Sequence, residues 1–92
     1  MKKKFVRKQL FYVYILECQD GTYYTGYTND LEKRIKEHKD NKRGAKYLRG
    51  KKPFKVVYTK EYRYFKRAVS EESRIKKLRR WQKQKLLDTF KK

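Results

Sequence analysis

Three titratable side chains in this sequence fall where apolar ones are expected. At about 100° per residue, Leu31, Arg34, Ile35 and His38 share one helical stripe, and Glu72 shares another with Phe65, Ala68, Val69 and Ile75 or Lys76. Glu71, one residue earlier, points away from that stripe. Charge on a core-facing stripe is costly unless it is paired. Either these groups meet as a structural Arg–Glu pair at the edge of a small core, or they serve something bound between them. Hydrolysis of a phosphodiester needs a proton acceptor, a cation for the nonbridging oxygens, and a metal or acid for the leaving oxygen. A tyrosine, Arg34 and a metal held by Glu72 could fill those roles. One carboxylate suffices for magnesium, which keeps several waters and takes further oxygens from the phosphate. His38 is the only histidine and Cys18 the only cysteine, so a zinc cluster is excluded. Taken singly, His38 reads first as a structural or exposed histidine, and the tyrosines as sheet filler whose hydroxyls reach solvent.

The elements that must position these groups follow from pattern. Phe11 to Glu17 and Thr22 to Thr28 are β-branched and aromatic and flank Gln19-Asp20-Gly21, which predicts a hairpin. A three-residue loop sets Leu16 opposite Tyr24 and Tyr14 opposite Gly26, so Tyr12, Tyr14 and Tyr24 share a face. Asn29-Asp30-Leu31-Glu32 matches a capping box with Asn29 as N-cap, predicting a helix from Asp30 to Lys39. Pro53 opens a third strand, Phe54 to Lys60, with Phe54, Val56 and Tyr58 on one face. Helical patterns return at Phe65 to Lys77 and at Arg80 to Phe90, the last with Leu86, Leu87 and Phe90 together and Trp81 offset.

Composition bounds the partner. Ninety-two residues carry 29 Lys+Arg against 10 Asp+Glu, a formal charge of +19, with 37% hydrophobic and 16% aromatic residues. That is one small domain with a thin core, and its charge calls for a polyanion, nucleic acid before anionic lipid. No apolar run of membrane-spanning length exists, and no apolar stretch follows the basic start, so a cytoplasmic protein is expected. The lone Cys18 fits a reducing compartment. The charge is uneven: residues 1–10 carry +5, residues 31–52 hold ten basic and three acidic side chains, and residues 65–92 hold eleven and three. Residues 11–30 contain no Lys or Arg and five of the nine tyrosines. The division is a basic N-terminal tail, 1–10, and one domain, 11–92.

Tyr12-Val13-Tyr14, Tyr24-Thr25-Gly26, Thr28-Asn29-Asp30-Leu31 leading to Arg34 and His38, and Ala68 to Glu72 to Ile75-Lys76 together resemble the GIY-YIG nuclease superfamily. The likeness is greatest to its small single-domain bacterial branch and extends to the N-terminal nuclease domain of the excision-repair endonucleases. Gly44-Ala45-Lys46-Tyr47 and Arg49-Gly50 before Pro53 fit that branch too, and the match covers about Phe11 to Lys85. The resemblance implies an α+β fold, a three-stranded antiparallel sheet flanked by helices, and cleavage of DNA dependent on Mg2+ or Mn2+, in repair or recombination. It implies Tyr14 and Tyr24 around the nucleophilic water, Arg34 on the phosphate, His38 arranging the nucleophile, and Glu72 on the metal. Gly26 would let a backbone or phosphate approach. Tyr27 stands where excision-repair relatives carry Lys, and no counterpart appears of the Asn that some relatives place after the metal-binding Glu.

Lys42, Arg43, Lys46, Arg49 and Lys76 are the expected phosphate contacts, gripping backbone without reading bases. No recognition insert is present, so a branched or damaged DNA, or a protein partner, would supply specificity. A noncatalytic module on structured RNA is the competing expectation, and Glu72 on an inward stripe argues against it. An acidic protein or membrane surface ranks last, because no element has a wide apolar face.

Overall fold

The computed structural model describes residues 10–40, 48 and 50–90. Its elements run β1 (Phe11–Glu17), β2 (Tyr23–Thr28), α1 (Leu31–Asp40), β3 (Lys55–Tyr62), α2 (Phe65–Lys76) and α3 (Arg80–Phe90). The expected three-stranded antiparallel sheet forms, in the order β2-β1-β3. β1 is central because FYVYILE is apolar or aromatic at nearly every position, which suits a strand covered on both faces. Val13 and Ile15 face one way, against Ala68, Ile75 and Leu87 of α2 and α3. Tyr14 and Leu16 face the other, against Leu48, with Leu31 and Ile35 of α1 and Phe54 packed around them. The sheet thus divides two small cores. Burying a Val, Ile or Leu side chain such as these contributes about 1.5–3 kcal/mol.

The hairpin has the expected register, with Tyr14 opposite Gly26 and Leu16 opposite Tyr24. Gly21 sits at φ +84°, the left-handed conformation its loop requires. Two details depart from the sequence pattern. The N-cap of α1 is Asp30, whose Oδ1 accepts from the Lys33 N–H at 3.2 Å, and not Asn29. Thr28 Oγ1 in turn accepts from the Asp30 N–H at 3.1 Å, which ties the turn down one residue later and moves Glu32 out of capping-box position. In β3 a bulge at Val57 breaks the alternation: Leu16 pairs with Val56, and Ile15 with Tyr58. Phe54 and Tyr58 therefore pack on opposite faces, Phe54 beside Tyr14 and Tyr58 beside Ile15, instead of sharing one. In α3, Leu87 is buried, while Phe90 is half exposed with its ring 5.2 Å from that of Tyr58. Residues 1–9, the expected basic tail less Leu10, lie outside the described residues.

Candidate active site

Tyr14 is the hub. It is 1% exposed, and its hydroxyl lies 2.8 Å from His38 Nε2. A Cβ added to Gly26 would stand 2.6 Å from that oxygen and 2.8 Å from Cζ. The phenol thus lies flat across the edge strand, over the one residue type that leaves room for it. Gly26 admits Tyr14's own ring, which replaces the expectation that it makes room for a backbone or phosphate. The Tyr24 ring lies 6.4 Å from that of Tyr14 and 5.5 Å from that of His38, edge-on to the imidazole. Phe54 closes the other side of His38 at 6.4 Å, also edge-on. Tyr12, on the same face, lines an open groove with Asn29, Asp30, Leu31 and Glu32 at the start of α1.

Two helices bring charge to this hydroxyl. Arg34, one turn before His38 on α1, brings its charge beside the Tyr14 hydroxyl and forms an ion pair with Glu37 at 2.9 Å. A guanidinium offers only protons, so the Tyr14 oxygen faces it with its lone pairs, and the phenolic proton is assigned to His38 Nε2. Glu37 was not among the sequence candidates; its spacing of three from Arg34 was the available signal. From α2, the charge of Glu72 acts on Tyr14, whereas that of Glu71 acts on Tyr58 and Tyr62 and pairs with Arg74. The two adjacent carboxylates thus act on opposite faces of the sheet, and Glu71, expected to point away from the core stripe, is half-buried beside Tyr58 and Tyr62, because it too lies within one turn of buried Ala68 and Ile75.

Burial first, then Tyr24 and Glu72, pushes the Tyr14 phenol up to about 12 against the pull of Arg34. Burial and then Arg34 hold His38 down at about 4, with Glu37 opposing. Burial works against the Arg34 guanidinium too, but Glu37 and the tyrosines more than offset it. At neutral pH the pocket therefore holds a neutral phenol donating to a neutral imidazole beside a fixed cation.

Of the expected site residues, Tyr14, Tyr24, Arg34 and His38 come into one cluster, and Glu72 reaches it electrostatically. Glu72's ion pair is to Lys76 at 3.0 Å, one turn along α2. Lys76, expected on phosphate, is thus engaged with a carboxylate. Lys42, Arg43, Lys46 and Arg49 lie outside the described residues. Among the described residues no three His, Cys, Asp or Glu side chains gather as a metal cluster. A single carboxylate with its side chain 12% exposed fits a hard divalent cation that takes its other oxygens from water and substrate, and it does not fit zinc.

Comparison with known proteins decides the family. The profile of the GIY-YIG catalytic domain matches residues 10–85. The chain belongs to the GIY-YIG family. It is similar to the UPF0213 protein OB0043 of Oceanobacillus iheyensis, 52% identical over 77 residues that cover 84% of this chain and 88% of that one. The UPF0213 protein CPE1444 of Clostridium perfringens is 53% identical over 78 residues, covering 85% and 83%. Two solution NMR structures share the GIY-YIG fold seen here. The UPF0213 protein BH0048 from Bacillus halodurans has a TM-score of 0.59 at 46% identity, covering 87% of this chain and 84% of that one. The protein EF2693 from E. faecalis has a TM-score of 0.64 at 41% identity, covering 90% and 88%. The UPF0213 names state a family and no reaction, so the GIY-YIG domain supports a nuclease scaffold and a nucleic-acid substrate class, and the particular reaction is a matter for proposal.

Proposed function

We propose that this protein is a divalent-metal-dependent endonuclease that hydrolyses DNA phosphodiester bonds. The observation that carries the reading is the Tyr14 hydroxyl, where a hydrogen bond to His38 and the charges of Arg34 and Glu72 converge. A phenol held near 12 is a weak base precursor alone. It can accept a proton from water as it passes its own to His38 Nε2, so the pair acts as one acceptor. Arg34, already charged and oriented by Glu37, would meet the negative charge on the attacked phosphate. Tyr24, edge-on to His38, would wall the water in. Glu72 would hold the Mg2+ or Mn2+ ion, whose contribution when bound is to stabilise the leaving oxygen. Lys76 would release Glu72 to do so.

The same reading takes residues 11–92 as the domain, preceded by a basic tail, and a reducing cytosol as the setting of the buried Cys18 thiol. No helix of the described residues is long and apolar enough to cross a membrane. A branched or damaged DNA, or a partner protein, would supply a role in repair or recombination.

One observation favours a noncatalytic nucleic-acid-binding module: the Lys76 ammonium sits where a cation on Glu72 would be. Cleavage of supercoiled plasmid and branched oligonucleotides with magnesium or manganese separates the two. The parent should cut, Glu72→Gln and Arg34→Ala should lose that activity, and all three should still bind. Equal residual nicking by all three points to a contaminating nuclease and sinks the mechanism. Binding without cutting under either metal establishes the second reading.

A further inference from the structure

Three of the exposed large hydrophobic residues, Tyr27, Tyr64 and Phe65, belong to one corner where the edge strand β2 meets the start of α2. Phe65 is 51% and Tyr64 67% exposed. The Phe65 ring meets Tyr27 at 5.7 Å and 73°, and Phe11 at 5.5 Å and 64°, so none of these pairs stacks face to face. In the sequence the aromatics are interleaved with cations, Arg63-Tyr64-Phe65-Lys66-Arg67, and all five side chains are exposed. Glu61 is the nearest acid in sequence. The pattern of flat rings between cations is what unpaired nucleotides need, rings for the bases and ammonium or guanidinium groups for the phosphates. A lipid surface would want a broad apolar face, which alternation with Arg and Lys denies.

Position relates this corner to the candidate site. Tyr27 follows Gly26 on β2, and side-chain alternation puts it on the opposite face from Tyr14 at the same sheet edge. Phe65 and Glu72 are seven residues apart, which places them on one stripe of α2, separated by about 10 Å along the axis.

We propose that Tyr27, Tyr64 and Phe65 form a stacking shelf for unpaired bases, and that the substrate class is DNA with an unpaired arm. The proposal rests on the nucleic-acid reading above but not on catalysis, so it is tested by binding in chelator. Fluorescence anisotropy compares a blunt duplex with the same duplex carrying an unpaired flap, at one salt concentration. The parent should prefer the flap by on the order of tenfold for each stacked base. Tyr64→Ala and Phe65→Leu should erase most of that preference and leave blunt-duplex affinity unchanged, while Tyr64→Trp should retain it. Phe65→Leu keeps an apolar contact with Phe11 and Tyr27, and Tyr64 is exposed enough for its truncation to spare the fold. Salt-dependent duplex binding with no flap preference overturns the shelf and leaves the nucleic-acid reading standing. Equal losses on both probes also overturn it, as does a Tyr64-dependent affinity for anionic vesicles with none for the flap. No binding to either DNA overturns both proposals.

Discussion

Gly26→Ala should be among the most damaging small substitutions in this protein, and only because of Tyr14. The new Cβ would lie 2.6 Å from the Tyr14 hydroxyl, 2.8 Å from Cζ and 3.2 Å from Cε1, where about 3.5–4.0 Å is comfortable. The ring has nowhere easy to go, with His38 and Tyr24 against it and 1% of its surface exposed. Overpacking of this kind costs about 1–3 kcal/mol. Displacing the hydroxyl also leaves buried His38 Nε2 without its partner, a further cost of about 1–3 kcal/mol. The sum, roughly 2–6 kcal/mol, is a large part of the ~5–14 kcal/mol expected for a domain of this size.

A double-mutant cycle isolates the cause. In a Tyr14→Leu background the three clashing atoms are gone. Only Gly21 and Gly50 among the described glycines have positive φ, so the backbone at 26 accepts alanine. There Gly26→Ala should be neutral or stabilise by about 0.4–1 kcal/mol, through loss of unfolded-state freedom. Urea unfolding with a common m value reads both legs of the cycle. Gly26→Ala costing the same in both backgrounds would refute the claim that Tyr14's ring is why position 26 is glycine.

His38 is the single histidine, so its ring proton resonance titrates unambiguously; the midpoint should lie near 4 instead of 6.5, and bound oligonucleotide should raise it. Between those two values the unfolded chain takes up a proton that the folded one refuses. Stability therefore falls as pH drops from 6.5 to about 4, by at most roughly 3 kcal/mol, and a midpoint at 6.5 with flat stability contradicts the buried neutral imidazole. Thermal or urea unfolding should show Asp30→Ala costing about 1 kcal/mol and Asn29→Ala far less, and the reverse order would restore Asn29 as the cap. On duplex DNA, log K against log salt should fall with a slope of about −0.9 for each phosphate contact, and a nearly flat line would remove the polyanion from the account.

Much of this arrangement was legible because it rests on local rules. The hairpin register followed from Gly21 and loop length, and the register put Tyr14 and Tyr24 on one face. Helical period set Glu72 and Glu71 apart by about 100°, but it did not show that Glu71 too turns inward, toward Tyr58 and Tyr62. The misreadings share a different origin. Asn29 and Asp30 are equally good caps, and Thr28, by holding the Asp30 N–H, decides between them. Val56-Val57-Tyr58 looks like plain alternation, and the bulge arises from having to fill cores on both faces of the sheet. Arg34 takes its ion pair from Glu37 on its own helix, because a local partner needs no chain closure. Gly26 looked like an opening for a ligand because its neighbour across the sheet is known only once the register is combined with the direction of Tyr14's ring.

The directions of the two shifts also constrain how such a site would turn over. Tyr14 and His38 are both held in their neutral forms, and taking a proton from water turns that neutral pair into a cationic one. In the free protein Arg34 resists the change, since its charge is one of the causes that depress His38. A phosphodiester lying against Arg34 reverses the balance: its negative charge offsets the guanidinium and favours the protonated imidazole. The pair would then be a poor base in the absence of substrate and a better one beneath a phosphate. The basic segments on either side strengthen that coupling, because they place phosphates near a hairpin that has no Lys or Arg of its own before any base is needed. Neutral tyrosines inside a cationic frame are, on this reading, the condition for making the acceptor only where the bond to be cut already lies.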